Sequence, residues 1–314
     1  MIKAAIKKTL LQFTDLLFVP LNALFLFSVR IFRYYGLEFF PVFRLLIKKA
    51  GVLPVHDQYY QPQFLYRKNF EFDNARDIKV DFDLEKQFSI LENFQHKGEL
   101  NDGVSRFSAF DLRNGSFEEG DAELYYLILR NYKPSTIIEI GSGYSTKVAS
   151  IGIEQNRKEG SNSLCYAIEP YEHRWLEQLS GIKLIREKVE NVDDEIFQQL
   201  TKGDILFIDS SHIIRPENDV LHIYLKILPS IPSGVIVHIH DIFTPRHYPR
   251  QWLEHEFRLW NEQYLLETIL TYGNQFEVLF SLNHLFKTDF ARLKKSLPNI
   301  HQAVNPASFW MVKR

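Results

Sequence analysis

The sequence predicts an α/β fold with a seven-stranded sheet, helices on both faces of that sheet, and a helical appendage at the N-terminus. Three observations carry this prediction. Short apolar runs alternate with stretches of helix length, those runs are apolar throughout, and the first fifty residues differ in composition from the rest. With 45% hydrophobic residues in 314, the chain can bury a large core, which excludes a mainly disordered protein.

Seven runs rich in apolar and β-branched residues predict the strands, and stretches of helix length separate the first five. This alternation is typical of βαβ units and a parallel sheet. Runs that are apolar throughout are expected where a sheet is buried on both faces. The predicted strands are residues 136–140, 164–168, 182–185, 205–208, 235–239, 276–280 and 309–312. The helices predicted between the first five strands are residues 146–157, 171–179, 193–200 and 216–228.

Two further helices are predicted outside this alternation. Residues 120–131 (GDAELYYLILRN) predict a helix that leads into the first strand. Four apolar residues then recur at the i, i+4, i+7 and i+11 spacing of one helical face, so a longer helix is predicted between strands five and six. These residues are Leu253, Phe257, Trp260 and Tyr264.

The first fifty residues form a basic and apolar segment. They contain eight basic and two acidic residues, a net charge of +6. Their longest uncharged stretch, residues 16–29, has 14 residues, whereas a spanning helix needs about 20, so no transmembrane helix is expected. Two interpretations stay open: the segment lies in a membrane interface, or it packs on the rest of the chain or on a second copy in a homo-oligomer.

The rest of the chain is predicted to form two further parts. Residues 51–100 have the composition of a turn-rich connector, whose Tyr59 and Tyr60 could cover a site as a lid, and residues 101–314 form the main domain. A net charge of −2 does not favour a nucleic-acid binder. The lone Cys165 excludes an intramolecular disulfide, so we expect a reducing, cytoplasmic location, with a peripheral position at the inner membrane face left open.

The residues that follow each strand are the candidate site, because ligands bind beyond the carboxyl ends of the strands in an open parallel sheet. Strand one runs into residues 139–146 (EIGSGYST). The paired glycines let a ligand approach the backbone closely, and the helix that starts here offers unpaired N–H groups. Thr146 stands where a dinucleotide motif has its third glycine, and no GKS or GKT sequence of the Walker type follows.

Acidic residues follow strands two and three. Glu169 comes directly after strand two, 28 residues after Gly141, where a carboxylate can accept hydrogen bonds from both hydroxyls of a ribose. Glu190 follows strand three. Together with the glycine turn, these acids indicate a nucleoside-binding half of an α/β sheet. An NAD-dependent enzyme would share the glycine turn and the acid after strand two. Thr146 and the two closing strands favour another nucleoside cofactor.

These motifs resemble the class I S-adenosylmethionine (SAM)-dependent methyltransferases, whose fold is a seven-stranded Rossmann-like sheet. The stretches that carry the resemblance are IIEIGSGYST, the acid of YAIEP, and GDILFIDSSH. GSFEEGDAELYYLILRNYKPSTIIEIGSG and LKILPSIPSGVIVHIHDIFTPRHYPRQW are similar to a bacterial subset akin to the macrocin-type O-methyltransferases. The resemblance covers roughly residues 100–314.

The resemblance implies places for a cofactor and a metal ion. Glu169 would hold the ribose of SAM, with Glu190 in the same nucleoside-binding set. The methionine end would lie against Glu139, Gly141, Ser142, Gly143 and Ser145. In metal-dependent members, acids at the positions of Asp209 and Asp241 bind Mg²⁺, and Asp209 would face the methyl group. His240 stands where a second adjacent acid is often found, which leaves the divalent metal open because imidazole suits softer ions than Mg²⁺.

Histidines are concentrated near the ends of strands four and five, with six of the eleven between residues 212 and 255. Methylation of an alcohol requires removal of its proton, and an imidazole with a near-neutral pKa suits this role. We therefore predict His212 as the general base, with His240 as the second choice. His238 shares a strand face with His240, and for it a hydrogen-bonded core histidine is the stronger interpretation.

The sequence therefore predicts a SAM-dependent methyltransferase that methylates a hydroxyl of a small-molecule or glycosidic substrate, with catalysis by His212, His240 and Asp209. Three other functions stay open. They are a nicotinamide-dependent oxidoreductase, a metal-dependent oxygenase or hydrolase that uses His240 and Asp241 with His212, and a catalytically inactive methyltransferase-like scaffold at a membrane.

Overall fold

The computed structural model describes residues 2–55, 60–171 and 173–314, with side chains described from residue 7 onward. The chain divides into two compact units, Met1–Phe70 and Glu71–Arg314. The helices of the smaller unit are α1 (Ile2–Leu17), α2 (Val19–Tyr35) and α3 (Pro41–Ala50). Those of the larger unit are α4 (Leu84–Asn93), α5 (Asp121–Tyr132), α6 (Tyr144–Lys158), α7 (Asp219–His222), α8 (Leu228–Ser230), α9 (Glu262–Tyr272), α10 (Leu282–Thr288) and α11 (Phe290–Ser296).

The larger unit is built on one seven-stranded sheet. Its strands are β1 (Thr136–Ile140), β2 (Leu164–Ile168), β3 (Ile182–Ile185), β4 (Ile205–Ile208), β5 (Ile236–Ile239), β6 (Phe276–Ser281) and β7 (Phe309–Lys313). They lie in the order β3-β2-β1-β4-β5-β7-β6. Strands β1 to β5 pair in parallel, and β7 lies antiparallel between β5 and β6. The predicted α/β fold is confirmed, with strand bounds within one residue of the predicted runs.

Two cores lie on opposite faces of the sheet, because alternate residues of a strand point to opposite sides. Ile137 of β1 and Phe207 of β4 enter a core formed with α4, α5 and α6. Ile138 and Leu206 enter the other core. Helix α7, the π-helical turn Ile223–Ile227 and helix α9 cover this core. Burial on both faces explains why the strands are apolar throughout.

Three of the predicted helices differ in the structure. The described parts of residues 171–179 and 193–200 form short 3₁₀ turns, Arg174–Gln178 and Asp194–Gln199. The helix predicted over residues 253–264 is broken at Phe257, whose φ is +52°. A π-helical turn ends there, and the rings of Trp252 and Trp260 pack against each other at 5.2 Å across the break. The apolar spacing reflects this packing across a turn and not one helical face.

Residues 71–100, predicted as part of the connector, belong to the larger unit. Phe88, Leu91, Phe94 and Leu100 are buried in its first core, so burial ties this stretch to the sheet. The boundary therefore lies at residue 70 and not at residue 100. Tyr59, one of the two tyrosines predicted as a lid, lies outside the described residues.

The smaller unit exposes most of its apolar side chains. Phe32 packs against Phe40 and Phe43 where α2 approaches α3, with ring centroids 4.5 and 4.4 Å apart. Among the described residues, no single helix is both long and apolar enough to cross a membrane. Two consecutive helical stretches are long and apolar enough only when they are taken together, and they are bent by 59° at the break between them. These stretches are Lys7–Leu17 and Val19–Tyr35.

Deletion of residues 1–70 is expected to leave a folded protein, whereas deletion of residues 1–100 removes four buried side chains of the first core and destabilises it. Loss of one large core side chain costs about 2–5 kcal/mol of unfolding free energy, so loss of four exceeds the stability of an ordinary domain. Thermal unfolding followed by circular dichroism compares the two truncations. Equal melting temperatures would show that the unit boundary is misplaced.

Candidate functional site

The ends of β1, β2 and β4 converge at one edge of the sheet. The Gly141 N–H donates to the Ile168 carbonyl at 3.0 Å, and the Asp209 N–H donates to the Ile140 carbonyl at 2.8 Å. Gly141 has φ +77°, and a Cβ on it would lie 2.0 Å from the Asp209 carbonyl oxygen. Only glycine fits this position. The loop after β1 is thereby held directly against the end of β4.

A cavity of about 410 Å³ opens at this edge. Four residues predicted for the site line it: Gly141, Glu169, Glu190 and Asp209. The Glu169 carboxylate is oriented by the chain itself, because Tyr171 N–H donates to Oε1 at 2.6 Å and Ser142 N–H donates to Oε2 at 3.3 Å. The predicted cofactor residues after β1 and β2 are therefore brought together.

Glu139 is fully buried in β1, beneath the glycine loop. The Ser145 hydroxyl donates to its Oε1, while Oε2 makes no hydrogen bond with any described residue. Burial, reinforced by the carboxylates of Asp209 and Glu169, raises the pKa of Glu139 to about 8 against the opposing hydroxyls of Ser145 and Thr146. A buried carboxylate oxygen without a donor is costly, which suits a site that receives a cationic or N–H-bearing ligand. Gly143 and Ser145 begin α6 beside it, and the Gly143 N–H donates to Thr146 Oγ1 at 2.9 Å.

His212 lies at the centre of an acidic cluster beyond β4 and β5. Its Nδ1 is 2.9 Å from Glu262 Oε2, and its Nε2 is 3.2 Å from Asp209 Oδ1 and 3.5 Å from Asp241 Oδ2. Burial opposes the charged imidazole, but hydrogen bonds to Asp209 and Glu262 outweigh it and raise the pKa of His212 well above its usual range. In this arrangement both ring nitrogens face carboxylates, so Nε2 is not free to accept a proton as a general base would.

Both His212 and Asp241 adopt left-handed backbone conformations, with φ of +60° and +56°. Such conformations cost of order 1–3 kcal/mol for residues other than glycine and cluster at functional sites. The strain turns both side chains toward Asp209. These two loops are therefore shaped to assemble the cluster.

The cluster fits a divalent cation. One ligand atom each from Asp209, His212 and Asp241 can be chosen so that all lie within 4.8 Å of one another. Metal-binding histidines usually donate their other ring N–H to a carboxylate, and Glu262 occupies that position on His212. Two carboxylates and one imidazole form a donor set that suits Mn²⁺, Fe²⁺ or Zn²⁺ better than Mg²⁺. The predicted pair Asp209 and Asp241 is brought together, and His212 joins it as a third candidate ligand.

His240 faces a second cavity, of about 160 Å³, which Asp121, Asp241 and Trp252 also line. Its Nε2 is 3.8 Å from Asp241 Oδ1, and its Nδ1 has no hydrogen-bond partner among the described residues. Burial lowers the pKa of His240, but the carboxylates of Asp241, Asp209 and Asp121 outweigh burial and raise it. Asp241 thus borders the second cavity while its cluster partner Asp209 borders the first.

His238 is a core residue, as the stronger interpretation of its position predicted. It is buried, its Nε2 is 3.1 Å from Ser308 Oγ, and its ring stacks on Phe207 with centroids 3.9 Å apart. Burial lowers its pKa well below the usual range, so it stays neutral.

The sequence analysis missed Glu262 and Ser210. Glu262 is fully buried, and its Oε2 accepts a hydrogen bond from Ser210 Oγ at 2.7 Å as well as contacting His212. The Asn261 and Glu262 N–H groups both donate to the His212 carbonyl, which fixes the start of α9 beside the cluster. The only sequence signal was an acid at a helix N-terminus, and it was hidden inside the helix predicted over residues 253–264.

Residues 138–242 match a family model described as "Methyltransferase domain". A protein of Archaeoglobus fulgidus described as uncharacterized is 34% identical over 97 residues, which make up 29% of this chain and 42% of that protein. The match thus spans less than half the length of this curated relative.

Solved methyltransferases show a distant likeness in fold. The plantazolicin methyltransferase BpumL, in complex with a triazolic desmethylPZN analog and S-adenosylhomocysteine (SAH), has a TM-score of 0.42 at 15% identity over 74% of this chain and 97% of that chain. CalS11, a TDP-rhamnose 3′-O-methyltransferase, has a TM-score of 0.37 at 12% identity over 73% of this chain and 92% of that chain. The Burkholderia thailandensis 1,6-didemethyltoxoflavin-N1-methyltransferase with SAH has a TM-score of 0.33 at 14% identity over 76% of this chain and 93% of that chain.

Gly141→Ala is expected to destabilise the protein more than Gly160→Ala. Both glycines have positive φ, so alanine costs about 1–2 kcal/mol of unfolding free energy at either position. Only at position 141 does the new Cβ meet backbone, which adds roughly 1–3 kcal/mol, since nothing lies within 4 Å of a Cβ at position 160. Chemical denaturation measures the difference, and equal costs would disprove the close approach of the two strand ends.

Proposed function

We propose that this chain is a class I SAM-dependent methyltransferase and that it transfers the methyl group of SAM to a hydroxyl of a small-molecule or glycosidic acceptor. One observation carries the proposal. The matched segment runs from β1 to just beyond β5, and it contains the glycine loop, Glu169, Asp209, His212 and Asp241. The family similarity and the cavity at the sheet edge thus coincide.

The first cavity is proposed as the SAM site. The ribose hydroxyls would donate to Glu169, whose two oxygens are already oriented by backbone N–H groups. The ammonium group of the methionine end would pair with Glu139, whose buried Oε2 lacks a partner among the described residues. Gly141 would let the ligand approach the backbone closely, and Glu190 lines the cavity on the β3 side. Of the seven cofactor residues predicted from the sequence, Gly141, Glu169 and Glu190 line the cavity itself, whereas Glu139, Ser142, Gly143 and Ser145 are not part of its lining.

The second cavity is proposed as part of the acceptor site. It borders Asp241, while Asp209 of the same cluster borders the first cavity, so the cluster lies between the proposed cofactor and acceptor. Its lining is polar and acidic, which suits an acceptor that carries hydroxyl groups. Catalysis would consist mainly of holding the acceptor oxygen in line with the methyl group, together with removal of the hydroxyl proton.

A divalent cation is part of the proposal, held by Asp209, Asp241 and Nε2 of His212. When bound, such an ion lowers the pKa of a coordinated hydroxyl and so assists its deprotonation. Glu262 accepts the Nδ1 proton of His212 and presents Nε2 to the two aspartates. Ser210 donates to Glu262 and holds it in place. In this proposal Nε2 of His212 holds the ion, so His240, which borders the acceptor cavity, is the candidate general base.

The other functions considered are less well supported. The methyltransferase family match favours neither a nicotinamide-dependent oxidoreductase nor an oxygenase or hydrolase built on His240 and Asp241. An inactive scaffold would not need strained backbone at His212 and Asp241 to assemble buried charges.

Glu169→Ala is expected to weaken SAH binding by about 1.5–3 kcal/mol, the scale for lost hydrogen bonds to a charged group. Glu187→Ala, an exposed glutamate in the loop after β3, is the matched control and should bind SAH as the unsubstituted chain does. Isothermal titration measures all three proteins. Absence of SAH binding to the unsubstituted chain would refute the proposed function, and unchanged affinity in Glu169→Ala would remove Glu169 from the site.

Asp241→Asn is expected to abolish stabilisation by a divalent cation, and Glu262→Gln should weaken ion binding about 10- to 100-fold by disturbing the orientation of His212. Melting temperatures are recorded after EDTA treatment and again with Mn²⁺, Zn²⁺ or Mg²⁺ added. Asp77→Asn, on an exposed side chain, serves as the control. If no ion raises the melting temperature of the unsubstituted chain, the divalent-cation part of the proposal is wrong.

A further inference from the structure

The exposed apolar surface of α1 and α2 is the largest feature that the proposed function leaves unused. We propose that these two helices insert into one leaflet of a membrane that contains anionic lipids, with both of their basic ends at the headgroups on the same side. The inference concerns the smaller unit alone and does not depend on the methyltransferase proposal.

The middle of α2 is apolar around its whole circumference. Residues 24–27 (LFLF) are four consecutive helical residues, which point about 100° apart and so cover every side. Their side chains are between 55% and 65% exposed. A groove on another protein covers one face of a helix, whereas a helix that is apolar all round requires surroundings that are apolar on every side. Lipid acyl chains provide such surroundings.

Helix α1 is amphipathic and suits the membrane surface. Lys8, Gln12 and Asp15 follow one another at i, i+4 and i+7 and share one polar face. Leu10, Phe13 and Leu17 lie on the opposite face, each 64% exposed. A helix of this kind lies in the plane of the interface with its apolar side among the acyl chains and its polar side in water.

The distribution of basic residues favours insertion from one side. Lys7 and Lys8 precede the apolar stretch, and Arg30 and Arg33 follow it, with Asp15 the only charged residue between Lys8 and Arg30. Basic residues stay on the cytoplasmic side of membranes and are attracted by anionic headgroups, so both ends are expected on the same side.

The geometry of α1 and α2 also favours a shallow insertion over a crossing. The uncharged stretch of 14 residues spans about 21 Å as a helix, shorter than the hydrocarbon core of about 30 Å. The two helices are bent by 59° where Phe18 leaves the helical conformation, next to Pro20. With the junction at Phe18 deepest, the bend lets both helices rise toward the surface on either side of it, so that both pairs of basic residues reach the headgroups.

Flotation of the full chain with vesicles tests the insertion. Vesicles of phosphatidylcholine with about 30% phosphatidylglycerol should carry the protein upward, and pure phosphatidylcholine should carry less. Leu21→Glu with Leu24→Glu should weaken binding at least about tenfold, because both charges would enter the acyl region. Leu225→Glu is the matched control, since Leu225 is 67% exposed in the larger unit, and it should float like the unsubstituted chain. Arg30→Gln with Arg33→Gln should weaken binding to the anionic vesicles roughly thirtyfold.

Thiol labelling distinguishes a shallow insertion from a crossing. Cys165 is buried, so single cysteines introduced as Lys8→Cys, Phe25→Cys and Tyr34→Cys report on their own positions. The protein is added to preformed vesicles and treated with a membrane-impermeant maleimide. Positions 8 and 34 should both react at once, and position 25 should react only after detergent is added.

Three results would overturn the proposal. The first is that the unsubstituted chain and the Leu21→Glu, Leu24→Glu variant float equally well, or that neither floats. The second is that position 8 or position 34 is protected from the maleimide until detergent is added, which would indicate a crossing. The third is that the unsubstituted chain does not float and light scattering without lipid finds it to be an oligomer, whereas the Leu21→Glu, Leu24→Glu variant is a monomer. That result would assign the apolar surface to a second copy of the chain.

Discussion

The contact between the β1 loop and the end of β4 is the constraint on which the rest of the site depends. Gly141 lies so close to the Asp209 carbonyl that a methyl group cannot fit between them. This contact sets the floor of the first cavity and fixes where Asp209 leaves the sheet. From that point the chain reaches His212 within three residues, and the neighbouring strand β5 delivers His240 and Asp241 to the same edge. The parallel order of the strands thus gathers residues that are far apart in sequence.

Carboxylates outnumber cationic side chains at this edge of the sheet. Asp209, Asp241 and Glu262 surround one imidazole, and two further buried acids lie nearby, Glu139 in β1 and Glu169 directly after β2. The pKa of Asp209 is lowered, since its hydrogen bond to His212 and the charges of His240 and His212 outweigh its burial. So many carboxylates in one region favour cationic partners. An ammonium group near Glu139 and a divalent cation near Asp209 would satisfy this demand at two points.

Most of the sheet could be predicted from the sequence, because each strand is buried on both faces and therefore apolar throughout. The meeting of Gly141, Glu169 and Glu190 at one cavity could be predicted for a related reason, since parallel topology places the ends of β1 to β5 at one edge. Glu262 could not, because the start of α9 is set by backbone hydrogen bonds to the distant His212. Residues 84–93 were also missed, because their burial against the sheet is a tertiary contact that local composition does not reveal. The proposed role of His212 as an ion ligand could not be predicted for a similar reason, because it depends on acids that separate parts of the chain supply.

Proton release on SAH binding tests the central claim, that the edge beyond β1 binds the methionine end of the cofactor through Glu139. With a pKa of about 8, Glu139 is mostly protonated at pH 7 in the free protein. An ammonium group beside it favours the carboxylate, so nearly one proton should leave on binding, seen in calorimetry with EDTA as an enthalpy that depends on the buffer. Glu139→Gln should bind more weakly and release no proton from this site. Binding without proton release, or equal release in Glu139→Gln, would contradict the claim.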